Sequence, residues 1–117
     1  ENGSSAYEAS LRVSTTNPGG DKPLASPRRL VDPSLTHVVF MRSSAGTERL
    51  YVNGAERSLR NRPGTFANWN PAFRLELGDE RTQERPWAGT YRLLAVYARA
   101  LGSAEVARNF HVVAVGW

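Results

Sequence analysis

The stretch from Leu35 to Leu101 most constrains the fold, because it alternates between strand-like runs and turn signals. Within it, Asn53-Gly54 supplies the two positive-φ residues that a type I′ turn requires, which predicts a two-residue β-hairpin. The run 91–97 is apolar on both faces, as is typical of a central strand. This order of elements predicts an all-β fold, an antiparallel β-sandwich of the jelly-roll kind.

The other strands follow from period-two alternation of apolar and polar residues. In chain order, strands are predicted over 6–14, 35–42, 49–52, 55–57, 73–77 and 91–98, with a weaker pattern for a last strand over 111–117. The alternation over 73–77 predicts that Phe73, Leu75 and Leu77 point into the core.

Two further segments have other signals. The segment 15–33 contains four prolines and two adjacent glycines, so a long irregular surface loop is predicted there. One short helix is predicted around 103–110, because Ser103 can accept a hydrogen bond from a free amide and Glu105 lies in the first turn.

Length and composition indicate one domain that buries a core by packing alone. The chain has 117 residues, 40% of them apolar, and no cysteine. Disulfides and thiolate zinc sites are therefore excluded. No run approaches the roughly 18 apolar residues of a membrane helix, and residues 1–5 lack the pattern of a signal peptide. We expect no membrane insertion.

The positive charge invites a nucleic-acid interpretation, which the residue types argue against. The net charge is +4, but Lys22 is the one lysine among 15 basic residues. Such arginine bias is more typical of genome composition than of a surface that binds phosphates. Two local basic clusters are interpreted as solvated loop charge: one is 28–29, and the other consists of Arg57, Arg60 and Arg62. We therefore predict no nucleic-acid partner.

Four ordered blocks of sequence carry a resemblance to a known family. They are 35–42 (LTHVVFMR), 49–54 (RLYVNG), 77–80 (LGDE) and 87–106 (WAGTYRLLAVYARALGSAEV). Together they resemble the concanavalin A-like, laminin G-like jelly roll, most closely that of large bacterial multidomain surface or secreted proteins, including those of planctomycetes. The resemblance implies an antiparallel sandwich, and a location that is extracellular, periplasmic or at the cell surface.

Family members usually run well beyond 117 residues, and their opening strands are not found in this chain. The resemblance therefore implies that 1–117 is either a single laminin G-like domain or the C-terminal two-thirds of one. In the second case the run 91–97 would lack a neighbour and leave a long apolar edge. The missing strands would then come from outside these residues or from another chain; alternatively, the chain closes into a smaller sandwich.

Some jelly rolls of this class are glycoside hydrolases, whose chemistry depends on paired carboxylates. Retaining enzymes need two carboxylates about 5 Å apart, commonly from a Glu-x-Asp-x-x-Glu strand. The chain lacks that motif, and Asp79 has the wrong parity relative to Glu76. His37 and His111 have no metal-ligand spacing, and His37 is interpreted as a satisfied strand residue. We predict no catalytic residue, no metal site and no enzyme; a glycoside hydrolase-like enzyme is the less favoured alternative.

Binding is favoured over catalysis, with a glycan as the natural ligand of such a fold. A lectin site stacks a sugar on an aromatic ring and binds its hydroxyls through amide, carboxylate and guanidinium groups. Two predicted loops have that mixture, and the candidate ligand-binding residues are Asn68, Trp69, Asn70, Asp79, Glu80, Arg81, Arg85 and Trp87. Alternatively, the two tryptophans cap the core. The oxygen donors among them lack the spacing of a calcium site, so no cofactor is predicted.

A structural role is the alternative hypothesis. An adhesion or assembly module would bind another protein, or form a homo- or hetero-oligomer through an open sheet edge. The apolar tail 112–117 is a candidate for such edge pairing.

Overall fold

The computed structural model describes residues 5–17, 22–78 and 87–116. In chain order its elements are β1 (Glu8–Ala9), β2 (Leu24–Ala25), β3 (Val38–Arg42), β4 (Thr47–Val52), β5 (Ala55–Asn61) and α1 (Ser103–Gly116). The strands form two antiparallel sheets, one of β1 and β2 and one in the order β3-β4-β5. The predicted antiparallel β-fold with one C-terminal helix is confirmed.

The three-stranded sheet is built around the predicted hairpin. Asn53 and Gly54 have φ angles of 52° and 79°, as a type I′ turn requires. The Asn53 side chain also accepts a hydrogen bond from the His37 amide at 2.9 Å, which joins the turn to the start of β3. In this sheet β4 is the central strand. β3, which lies within the predicted strand 35–42, is at one edge of this sheet.

The small sheet shows two departures from prediction. The predicted strand 6–14 is reduced to the two residues of β1. A turn begins at Val13, whose amide donates to the Thr16 hydroxyl and whose carbonyl accepts from it. The predicted loop 15–33 contains β2, which packs on β4 and β5. The Ser58 hydroxyl donates to the Ala25 carbonyl and joins the two sheets.

A buried carboxylate lies at the centre of the fold. Glu48 on β4 is 0% exposed. Its carboxylate oxygens form ion pairs with three arginines, at 2.6 Å from Arg60 Nη2, 3.4 Å from Arg42 Nη1 and 3.8 Å from Arg62 Nε. The interpretation of Arg60 and Arg62 as solvated loop charge was therefore wrong. Charges this deeply buried are stable only when they are paired and hydrogen-bonded.

The apolar core lies between the larger sheet and α1. Tyr51, Leu101 and Val106 form one buried cluster, with Val39 and Met41 packed against it. Val106 reaches this cluster because α1 begins at Ser103. Val106 therefore completes the first helical turn, on the face that packs against Tyr51 of β4.

The helix is longer than predicted. Residues 111–116, predicted as a weak last strand, continue α1, because no glycine or proline interrupts 103–115. At 14 residues α1 is too short to cross a bilayer, and the described ranges contain no membrane-spanning helix. Its first turn is capped by Glu105, which accepts from the Gly102 amide at 2.8 Å and from Arg99 at 2.7 and 2.9 Å.

Two predicted strands are absent from the sheets. Within the described residues, 73–77 and 91–97 are not assigned to any strand. Leu75 is 69% exposed and Val96 79%, and Phe73 and Leu77 are exposed as well. The prediction that the apolar side chains of 73–77 point into the core was wrong, because no described strand covers that face. The run 91–97 exposes side chains on both of its faces.

We expect Glu48→Gln to destabilise the fold by about 3–5 kcal/mol, because three guanidiniums would lose the carboxylate that neutralises them. Chemical denaturation measures the free energy of unfolding. Glu56→Gln is the matched control, since Glu56 pairs with Arg49 at the surface. Equal stability of the two variants would contradict the structural role of Glu48.

A second prediction concerns the cap of α1. The hydrogen bonds from Arg99 and from the Gly102 amide lower the pKa of Glu105 from 4.5 to about 2. Because the pKa is lower in the folded state, the cap stabilises α1 above pH 4.5 and this contribution disappears as the pH falls toward 2. Thermal unfolding followed by circular dichroism should show this loss in the wild type and a smaller one in Glu105→Gln. Glu56→Gln should behave as the wild type does; an unchanged pH profile in Glu105→Gln would contradict the assignment.

Candidate functional site

The loop that follows β5 is held by a side chain of the buried charge cluster. Arg42 donates to the Arg62 carbonyl at 2.9 Å and to the Gly64 carbonyl at 2.8 Å. The Arg62 amide donates to the Gly46 carbonyl at 2.9 Å. The start of the loop therefore has a fixed position relative to β3 and β4.

The same loop is joined to the segment 12–17. The Ser14 amide donates to the Thr65 carbonyl at 2.8 Å, and the Thr65 amide donates back to the Ser14 hydroxyl at 2.9 Å. Gly64 allows this close approach: its φ is +117°, and a Cβ there would lie 2.8 Å from the Thr15 hydroxyl. Because of these contacts, two segments that are about fifty positions apart in the sequence lie side by side.

An aromatic cluster lies on the loop. The Trp69 ring meets Phe66 edge to face at 5.2 Å and Phe73 at 6.2 Å between centroids. Its indole N–H donates to the Arg12 carbonyl at 2.9 Å. Arg12 in turn lies over the Phe73 ring, 5.6 Å from its centroid. Trp69 therefore fixes the cluster to the segment 12–17 while its own side chain stays half exposed.

A cavity of about 310 Å³ opens beside this cluster. Its lining side chains carry amide, hydroxyl and guanidinium groups next to one aromatic ring: Arg12, Thr16, Asn17, Asn68 and Phe73. We call this cavity the 12–73 groove. Its volume is at the lower end of the range typical of ligand pockets, roughly 300–1,000 Å³. The arrangement can hydrogen-bond hydroxyl groups and stack an apolar face on an exposed ring.

The first predicted site segment, 68–70, contributes in three different ways. Asn68 lines the groove. Trp69 supports it through the contacts above. The Asn70 side chain accepts from the Ala72 amide at 2.8 Å, and its carbonyl accepts from the Phe73 amide at 2.9 Å. Asn70 therefore shapes the turn that brings Phe73 into the groove.

Sequence reasoning missed Arg12, Thr16 and Asn17 as groove residues, and assigned Phe73 to the core. The signal for Phe73 was present, because Asn70 is a turn former three positions earlier. No local pattern identifies the other three, since their position depends on the long-range contacts to the loop.

Trp87, from the second predicted site segment, contacts other residues and does not line the groove. Trp87 packs edge to face on Tyr91 at 4.9 Å, and its amide donates to the Gly78 carbonyl at 2.6 Å. Burial raises the pKa of the Tyr91 hydroxyl. The remaining predicted residues, Asp79, Glu80, Arg81 and Arg85, lie outside the described residues.

The rings of both histidines, His37 and His111, stack on Phe110. His37 packs on Phe110 with 6.2 Å between ring centroids, and burial lowers its pKa. Its Nδ1 is buried without a hydrogen-bond partner, so the interpretation of His37 as a satisfied residue was wrong. In the parts of the chain that the structure describes, no three His, Cys, Asp or Glu side chains are grouped to hold a metal ion.

Comparisons with known proteins support the fold. The chain is similar to the crystal structure of an S-layer domain-containing protein (residues 221–444) from Clostridium thermocellum ATCC 27405, with a TM-score of 0.59 and 19% identity. The match covers 79% of this chain and 46% of that structure, so the chain corresponds to about half of its length. No curated protein matches the chain.

A family profile gives the assignment. Residues 2–107 match the laminin G-like family described as the concanavalin A-like lectin/glucanases superfamily. That range includes both sheets and the start of α1. By this match over most of its length, the chain belongs to the laminin G-like family of the concanavalin A-like lectin/glucanases superfamily.

Proposed function

We propose that the chain is a non-catalytic recognition module that binds a carbohydrate in the 12–73 groove. The observation that carries the proposal is the placement of the Asn68 amide and the exposed Phe73 ring in one cavity with Arg12. Amide and guanidinium groups suit sugar hydroxyls, and the ring suits the apolar face of a pyranose. The family description includes lectins, which supports this ligand class.

The described carboxylates favour binding over catalysis. Glu48 is enclosed by three arginines, Glu56 pairs with Arg49, and Glu105 pairs with Arg99. A glycosidase needs one carboxylic acid and one carboxylate facing the same sugar. Neither these three nor the other described carboxylates, Glu8, Asp32 and Glu76, line the 12–73 groove, which supports a role in recognition. The same ion pairs occupy Arg42 and Arg60 and so do not favour a nucleic-acid surface.

Assembly is the second candidate function, and the exposed apolar runs 73–77 and 91–97 favour it. Large apolar patches on a protein surface are typical of interaction sites. The structural neighbour is described as an S-layer domain-containing protein, which supports a location at the cell surface or outside the cytoplasm for this chain too. Adhesion and surface assembly are compatible with both candidate functions.

An oligosaccharide array, followed by titration of each positive sugar, tests the carbohydrate proposal. We expect Asn68→Ala to weaken binding roughly fivefold to tenfold, because the lost hydrogen bond contributes about 1 kcal/mol. Phe73→Leu should also weaken binding, since it removes the stacking ring and keeps an apolar side chain. Tryptophan fluorescence provides a second readout, because Trp69, one of three tryptophans, packs on Phe73.

Asn61→Ala is the matched control, because Asn61 is an exposed asparagine at the end of β5 that does not line the groove. It should bind as the wild type does. A blank array, or a positive sugar whose affinity is the same in Asn68→Ala and Phe73→Leu, would contradict the carbohydrate proposal.

A further inference from the structure

We propose that His37 is a pH-sensitive switch between the larger sheet and α1. The neutral imidazole keeps the half of α1 around Phe110 packed on the sheet, and protonation of the buried Nδ1 atom releases that half. The switch is independent of the carbohydrate proposal, because other residues line the 12–73 groove.

The contact between His37 and α1 is the first step. The imidazole stacks on the Phe110 ring, with 6.2 Å between centroids and 29° between planes. Phe110 also lies on the hairpin turn, since a Cβ on Gly54 would be 3.1 Å from its ring. The turn is bonded to His37 as well: the Asn53 amide donates to the His37 carbonyl at 2.8 Å, and the His37 amide donates to the Asn53 side chain at 2.9 Å. One aromatic side chain of the helix therefore packs on His37 and on the turn that His37 holds.

A ring nitrogen of His37 makes this contact sensitive to pH. Nδ1 is buried and has no hydrogen-bond partner in the described parts of the chain. When Nε2 carries the proton of the neutral imidazole, Nδ1 is an acceptor without a hydrogen. A proton on Nδ1 adds a positive charge and a donor without an acceptor, which is unfavourable in a buried position. Burial accordingly lowers the pKa of His37 below its ordinary value of 6.5.

A protonated His37 has no free carboxylate on the elements around it. The acids of the larger sheet and of α1, Glu48, Glu56 and Glu105, are each paired with arginine. Asp32, on the segment that leads into β3, is exposed and accepts from the Ser34 amide at 2.7 Å. The other ionisable groups of these strands and of the helix are the Tyr51 phenol and basic side chains: Arg42, Arg49, Arg57, Arg60, Arg108 and His111. A charge on the buried imidazole is therefore not compensated.

Packing of α1 should weaken as the pH falls below 6.5. A released helix leaves His37 in water with its ordinary pKa of 6.5, whereas burial keeps the pKa lower in the packed state. Because the released state binds the proton more tightly, the contribution of His37 to packing is complete above pH 6.5 and is lost as the pH falls through the lower pKa. The pKa of Glu105 moves only between 4.5 and about 2, so the helix cap does not act in this window.

Hydrogen exchange of the α1 amides tests the switch, measured at about pH 8 and about pH 5, the range in which histidine titrates. Protection is expressed relative to the intrinsic exchange rate at each pH. We expect the protection of 108–116 to fall about fivefold to a hundredfold in the wild type, because an unpaired buried donor disfavours packing by that factor. The amides that join β3 to β4 should keep their protection.

Two variants at position 37 remove the titrating group. His37→Phe keeps a ring that stacks on Phe110, and His37→Gln replaces the ring by a smaller uncharged side chain. In both, the protection of 108–116 should be the same at the two pH values, whatever its absolute level. His111→Gln is the matched control, because His111 is exposed and stacks on the same phenylalanine at 6.3 Å. It should keep the pH response of the wild type.

Three results would overturn the proposal: wild-type protection of 108–116 that is equal at both pH values, a pH response that persists in both variants at position 37, or its loss in His111→Gln. Titration of the imidazole resonances by NMR provides a direct check. A pKa of 6.5 or above for His37 in the folded chain would overturn the proposal as well.

Discussion

The fold depends on the ion cluster around Glu48. Its carboxylate is fully buried, and burial of this charge would be unfavourable without the three guanidiniums beside it. One carboxylate cannot satisfy so many donors. The remaining N–H groups donate to backbone carbonyls instead: Arg60 to Lys22 at 2.8 Å, and Arg62 to Lys22 at 3.1 Å and to Leu11 at 3.3 Å. The excess donors thus fix two points of the chain between β1 and β2 to the larger sheet.

The cluster also determines where the candidate site lies. Arg42 binds Glu48, holds the carbonyls of 62 and 64, and lies over the Phe66 ring at 5.9 Å from its centroid. Phe66 packs on Trp69, and Trp69 on Phe73. A continuous series of contacts therefore leads from a buried charge to the exposed ring of the groove. These contacts preorganise the candidate site, which lowers the entropy cost of ordering its side chains when a ligand binds.

The sequence predicted local secondary structure better than it predicted which side chains are buried. Asn53-Gly54 identified the hairpin because only a few residues tolerate two positive φ angles. Glu48 was missed, although it alternates with the buried Leu50 and Val52 and so shares their face. The period of a strand shows which side chains lie together, but tertiary contacts decide what covers them. The same reason explains 73–77, where the alternation is present and no described strand covers the apolar face.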